Sequence, residues 1–144
     1  MTCRLFKKIE MKSNLRKLYT AFFCIYLIAV GLLCFLRPSS LPEVDIKTFL
    51  GIPVDKLLHF LMFLPYPILS GLVFIRKEQK MAVSIAILIT LAVLGIGISY
   101  GTELIQARTG YRSYEIGDFY ADITGIATGF IISTIYLTYI KLKK

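Results

Sequence analysis

The chain reads as an all-α membrane protein, a bundle of four transmembrane helices, and three observations carry that reading. Long apolar runs recur four times, each close to the roughly 20 residues needed to cross about 30 Å of hydrocarbon. Connections rich in proline or charge separate them. Lysine and arginine crowd into three of the five segments outside the runs. Hydrophobic residues make up 56% of the 144, with a mean hydropathy of +0.70, where an ordinary soluble domain has roughly 45–50% apolar residues. They come as continuous runs rather than one-sided stripes, which argues for lipid rather than water as the surrounding solvent. The length suffices for one domain, 1–144.

Residues 1–17 carry Arg4, Lys7, Lys8, Lys12, Arg16 and Lys17 against Glu10. Interleaved Leu5, Ile9 and Leu15 suit a short amphipathic segment on an anionic membrane surface; the alternative is a disordered basic tail that only sets topology. The first span is predicted over about 18–36, a charge-free run. A basic stretch before an apolar run also suits a signal peptide, but this run exceeds the roughly 7–15 residues of such a core and no A-x-A site follows, so a retained helix is expected. Arg37–Val54 holds Pro38, Pro42 and Pro53 among polar neighbours and reads as a loop, with room for a short interfacial turn near Ile46–Leu50. The second span is predicted over 55–75, with Asp55 able to cap its first turn and Pro65 and Pro67 predicting a kink. After Arg76-Lys77-Glu78-Gln79-Lys80 comes a third span over 81–103, in which Gly97 and Gly101 form a small-xxx-small pair that lets helices approach closely. The fourth, 119–140, carries Gly125 and Gly129 at the same spacing.

The formal charge of +8 and pI near 9.5 suggest a nucleic-acid partner until the charges are placed. Twelve of the 17 basic residues lie in the N-terminal tail, the 76–80 turn and the C-terminal tail, beside two acids; Arg37, Lys47, Lys56, Arg108 and Arg112 lie on the other side, in the remaining connections and the span ends that adjoin them, beside seven acids. That alternation is a topology signal: both termini are expected in the cytoplasm, and no nucleic acid is expected as a partner. Cys24 and Cys34 stand roughly 15 Å apart along one helix axis, beyond disulfide reach. No Cys/His ligand spacing exists, and one histidine with scattered carboxylates is a weak metal signature. No cofactor or metal is therefore expected.

With that topology, polar residues from three stretches meet at the extracytoplasmic face: Asp55, Lys56 and His59; Glu103 and Gln106; Arg112, Ser113, Asp118 and Asp122. Helical phase supports convergence, since Asp55 and His59 are i, i+4, Glu103 and Gln106 are i, i+3, and Asp118, Asp122, Gly125 and Gly129 follow a 4-3-4 rhythm. Ionisable residues at a membrane boundary are costly and mark function by default. Each has a bland role as well. Asp55 serves as a cap, Lys56 snorkels, Arg112 neutralises Glu103 or Asp122, and Glu115 and Arg108 are solvated loop charges.

Asp55-Lys56-Leu57-Leu58-His59-Phe60, then Glu103-Leu104-Ile105-Gln106, then Arg112-Ser113 and Asp118-Phe119-Tyr120-Ala121-Asp122-Ile123-Thr124-Gly125 with Gly129 resemble the VanZ-like family of small bacterial membrane proteins, over roughly 50–135 and in the family's order. Asp122 departs from the asparagine common in that family. The resemblance implies a cell-envelope role in the bacterial cytoplasmic membrane and a bearing on susceptibility to teicoplanin-type antibiotics; it carries over no reaction.

Three function classes follow. The first is a module that binds or handles an envelope lipid or a lipopeptide or glycopeptide, with Lys56 and Arg112 facing an anionic headgroup and Tyr111, Tyr114 and Phe119 at the interface. The second is a membrane-embedded enzyme on a lipid-linked substrate, with His59 steadied by Asp55 as base, Glu103 or Asp118 as acid and Ser113 as the nearby nucleophile. The third is a proton-linked structural protein. The first is the leading expectation, with membrane lipids as its other partners.

Overall fold

The computed structural model describes the backbone of residues 2–35, 48–49, 51–109 and 115–143, and the side chains of 14–33, 48, 51–108 and 115–143. Helix α1 runs Thr2–Phe35; strands β1 (Thr48–Phe49) and β2 (Ile52–Pro53) precede α2 (Val54–Phe63), α3 (Pro65–Phe74), α4 (Met81–Thr109) and α5 (Ile116–Leu142). Four stretches are long and apolar enough to cross a membrane: Asn14–Leu33, Val54–Phe74, Met81–Arg108 and Ile116–Leu142. The chain is an all-α, four-helix, multi-pass membrane protein. Its many exposed Leu, Ile and Phe side chains, such as Phe22, Ile28, Leu94 and Ile135, are what a lipid-facing surface requires, because hydrocarbon sets no penalty on them.

The helices outrun the apolar runs that predicted them. Nothing between Thr2 and Val30 breaks a helix, having neither proline nor glycine, so the basic segment continues the first span as one helix without a joint. The third span extends six residues past Glu103, and the fourth opens at Ile116. A backbone crossing lipid keeps its i→i−4 bonds wherever no breaker intervenes, whatever the polarity of the side chains. The turn expected near Ile46–Leu50 falls largely outside the described residues; beside it β1 and β2 pair antiparallel, Thr48 opposite Pro53 and Phe49 opposite Ile52, and Gly51 takes the left-handed backbone (φ 80°) that glycine allows.

The predicted kink falls at Leu64, between α2 and α3, where the backbone stays helical (φ −55°, ψ −45°). Pro65 and Pro67 lack the N–H groups that would bond the carbonyls of Leu61 and Phe63, and Leu64 separates the two helices while its N–H still reaches Phe60 O at 3.0 Å. The Tyr26 hydroxyl donates to the Met62 carbonyl at 2.7 Å, tying α1 to the kink. Tyr19, Phe23 and Tyr26 of α1 pack with Tyr66, Leu69 and Val73 of α3, Phe23 and Tyr66 having ring centroids 6.0 Å apart.

Helix α5 is the centre of the bundle, contacting α2, α3 and α4. Its buried face reads Asp118, Asp122, Gly125, Ile126, Gly129 and Leu137. A Cβ at Gly125 would stand 2.5 Å from the Phe60 carbonyl oxygen and 3.1 Å from Leu64 N; one at Gly129 would collide with the Leu64 carbonyl and stand 3.0 Å from the Pro67 ring. The glycines thus let α5 lie directly on the kinked backbone of the second span, as their spacing predicts.

The other glycine pair behaves differently. A Cβ at Gly97 or Gly101 would meet nothing within 4 Å, whereas one at Gly95 would stand 2.6 Å from the Tyr66 ring. The packing role expected of Gly97 and Gly101 belongs instead to Gly95, because the buried stripe of α4 runs Ser84, Leu88, Leu91, Gly95, Ser99, Glu103 and Gln106, a 4-3-4-4-4-3 rhythm that passes Gly97 by. Gly95→Ala should therefore lower stability by about 1–3 kcal/mol through overpacking, and Gly97→Ala and Gly101→Ala by less than about 0.5 kcal/mol, as read by thermal unfolding in detergent. An equal loss at Gly97 would require a packing surface that this chain alone does not supply.

At the far end, Lys141 donates to Ser84 Oγ at 2.7 Å and to the Gln79 carbonyl, which clamps the end of α5 to the α3–α4 turn. Arg16, Lys17, Arg76 and Lys77 line one cleft of about 930 Å³ beside it. The basic flanks gather at this end, roughly 28 Å along α4 from Glu103 at 1.5 Å per residue.

Candidate functional site

Three helix stripes deliver ionisable groups to the other end. Val54 opens α2 directly after Pro53, so Asp55 sits inside its first turn rather than capping it, and His59 follows one turn on, buried. Glu103 and Gln106 lie on the buried stripe of α4. Asp118 belongs to the first turn of α5, not to a connection, and Asp122 lies one turn deeper.

His59 is the hub. Its Nδ1 lies 3.0 Å from Asp122 Oδ1 and 3.9 Å from Glu103 Oε1; its Nε2 lies 3.6 Å from Asp118 Oδ2. The Ser99 hydroxyl donates to Asp122 Oδ2 at 2.6 Å. Relative exposure is 4% for His59, 2% for Glu103 and Asp118, and 0% for Asp122 and Ser99, so the cluster is closed. The outward-facing polar pocket expected at this end is, among the described residues, a buried cluster; the cleft of about 930 Å³ and another of about 500 Å³ lined by Ile68, Ser133 and Tyr136 lie elsewhere. The closure has a physical reason: in low dielectric, a carboxylate is tolerated only with counter-charge and hydrogen bonds drawn around it.

A second layer lies above. Lys56 Nζ is 3.2 Å from Asp118 Oδ1 and 3.1 Å from Glu115 Oε2. The lysine reaches both because Gly117 leaves room for it: a Cβ there would stand 2.8 Å from Nζ. Lys56 is thereby a bridge between α2 and the start of α5, and Glu115, expected to be merely solvated, is its partner. Asp55 is half-buried, with a carboxylate oxygen within 4.8 Å of ligating atoms of His59 and Asp118.

Of the predicted site residues, the fold brings together Asp55, Lys56, His59, Glu103, Asp118 and Asp122, and buries Gln106 one turn beyond Glu103 on the same stripe. Arg112 and Ser113, like Tyr111 and Tyr114, lie outside the described residues. Arg108 is exposed in the last turn of α4. Missed by sequence reasoning were Ser99 and Gly117. Ser99 stands four residues before Glu103 on its stripe, so carrying the helical phase back one turn would have found it; Gly117 leaves no such trace.

Asp122, where the resembled family commonly has asparagine, is joined to both His59 and Ser99. An amide there would keep one acceptor and lose the charge that faces the imidazole.

Fold and cluster together define the class: a four-helix membrane protein with a buried histidine–carboxylate cluster at one end of the bundle. Comparison of the chain with protein-family models, curated proteins and solved structures returns no match. The likeness to the VanZ-like family rests on the quoted motifs alone.

Proposed function

We propose that this is a VanZ-like protein of the bacterial cytoplasmic membrane, with both termini in the cytoplasm, whose cluster faces the extracytoplasmic side and handles an envelope lipid or a lipopeptide or glycopeptide. The observation that carries this reading is the convergence of Lys56, His59, Glu103, Asp118 and Asp122 from three helices at the end opposite the basic flanks. A purely structural bundle has no need of buried charge there, and the positive-inside rule turns that end outward. Tyr100 and Phe119, with ring centroids 5.8 Å apart, and the exposed Tyr120 supply an aromatic belt at the same level, as a lipid–water interface favours.

The balance of described charges sharpens the ligand class. Asp55, Glu103, Glu115, Asp118 and Asp122 outnumber Arg108 and Lys56, and Lys56 is already engaged by two carboxylates. Amine- and amide-bearing ligands, such as a lipopeptide or glycopeptide, suit this end better than an anionic headgroup. Protein extracted from its own membrane should retain such a ligand in native mass spectrometry, and Asp118→Asn should reduce retention about tenfold with insertion unchanged, the cost of roughly one charged hydrogen bond. Equal retention in wild type and variant counts against the reading. A second reading, an enzyme acting on a lipid-linked envelope substrate, draws on Asp118 beside His59 Nε2 and Asp122 beside Nδ1, which orient the imidazole for proton transfer; turnover of the retained ligand would favour it.

A further inference from the structure

We propose that His59 Nδ1, Glu103 Oε1 and Asp122 Oδ1 bind a first-row divalent cation of the Mn²⁺ to Zn²⁺ kind. The proposal stands on these side chains and not on which envelope ligand the protein handles.

Each of the three groups comes from a different helix, and all their ligating atoms lie within 4.8 Å of one another. The independent sign is Glu103. Its Oε1 is buried with no hydrogen-bond partner, in a residue 2% exposed, and it points toward His59 Nδ1 across 3.9 Å. A buried acceptor left unmade is costly, more so when charged, and native proteins keep few of them without a reason. A cation between Glu103, His59 and Asp122 satisfies it.

The surroundings match the outer contacts that metal-ligating groups need. With Nδ1 on the metal, the proton of His59 resides on Nε2, which faces Asp118 Oδ2 at 3.6 Å. The free oxygen of Asp122 is held by the Ser99 hydroxyl at 2.6 Å. Asp118 is itself anchored by Lys56 at 3.2 Å. Thus both the imidazole and one carboxylate are oriented by partners that do not ligate.

Charge selects this set over its neighbour. Asp55, His59 and Asp118 also bring ligating atoms within 4.8 Å, but Lys56 already supplies the cation there. The inner set holds two carboxylates and one imidazole; a divalent ion with neutral histidine brings it to zero net charge, the state a low-dielectric interior favours. One nitrogen and two hard oxygens suit Mn²⁺, Fe²⁺ or Zn²⁺ rather than Cu⁺, and three protein ligands leave coordination positions over, as in catalytic rather than structural metal sites. The rival occupant is a proton on Glu103.

The test uses the full chain in detergent micelles, stripped with chelator and titrated with MnCl₂, with free Mn²⁺ read by electron paramagnetic resonance. One Mn²⁺ per chain is expected, displaceable by Zn²⁺, with pulsed spectra showing coupling to one imidazole ¹⁴N. Glu103→Gln should weaken binding by at least about tenfold, since even outer-shell changes cost about 10–100-fold. Glu78→Gln, an exposed acid in the α3–α4 turn, should leave it unchanged. No saturable binding, bound Mn²⁺ without nitrogen coupling, or equal affinity in Glu103→Gln would overturn the proposal in favour of the proton. The nitrogen coupling is read on wild type, so it does not depend on a variant folding. Because the probe is the metal alone, failure here is separate from failure to retain a lipopeptide.

Discussion

Gly129→Leu is expected to abolish the folded bundle. Its first added atom alone would meet both the Leu64 carbonyl and the Pro67 ring. Neither neighbour can turn aside: one is backbone at the helix kink, the other a ring that makes the kink. Helix α5 must then withdraw from α2 and α3 together, and α5 is the element on which those helices pack. A loss of about 3 kcal/mol or more follows from overpacking, a large share of the roughly 5–15 kcal/mol that holds a typical protein folded. The yield of monodisperse protein from detergent and its melting temperature are the readouts. Gly31→Leu is the matched control, since a Cβ at Gly31 meets nothing within 4 Å. If the two variants behaved alike, the close approach of α5 to the kinked second span would be wrong.

The second large effect is expected at His59. His59→Ala removes the imidazole that lies between Glu103, Asp118 and Asp122 and leaves three buried carboxyl groups facing one another. Breaking a buried charged network by deleting one partner costs about 3–5 kcal/mol. Deleting the opposite member as well should return part of that loss. In a double-mutant cycle with Asp122→Ala, the coupling should fall in the range of about 1–3 kcal/mol. Asp122→Asn should be the milder change, because an amide oxygen can still accept from Ser99. Denaturant or thermal unfolding in micelles measures all three. Additive effects of His59→Ala and Asp122→Ala would show that the 3.0 Å contact between them contributes nothing to stability.

What could be read from the sequence alone and what could not divide along a physical line. The number and places of the spans follow from local runs of side chains and from the absence of breakers, so Leu18–Leu36 and its three counterparts led directly to the four spans. The kink followed from two prolines whose missing N–H groups are a local fact. The acids, His59 and Lys56 were found because helical phase is local too: Asp55 with His59, and Asp118 with Asp122, share a face whatever the helix packs on.

The rest depended on which faces meet. Gly97 and Gly101 have the spacing of a packing pair, yet Gly95 meets the Tyr66 ring, and no count along the third span can say which stripe a neighbour will cover. The same stripe carries Ser99 to Asp122, a residue 23 positions away. Lys56 reaches Glu115 and Asp118 over about sixty positions, across the space that the bare Gly117 leaves. By itself the sequence determined an all-α, four-span membrane chain with a polar end and a basic end, because composition, breakers and period act within a few residues. Only the tertiary structure decided that the polar end is a closed cluster around one imidazole, with Glu103 Oε1 left unsatisfied, because burial and hydrogen-bond pairing are properties of surfaces brought together from distant parts of the chain.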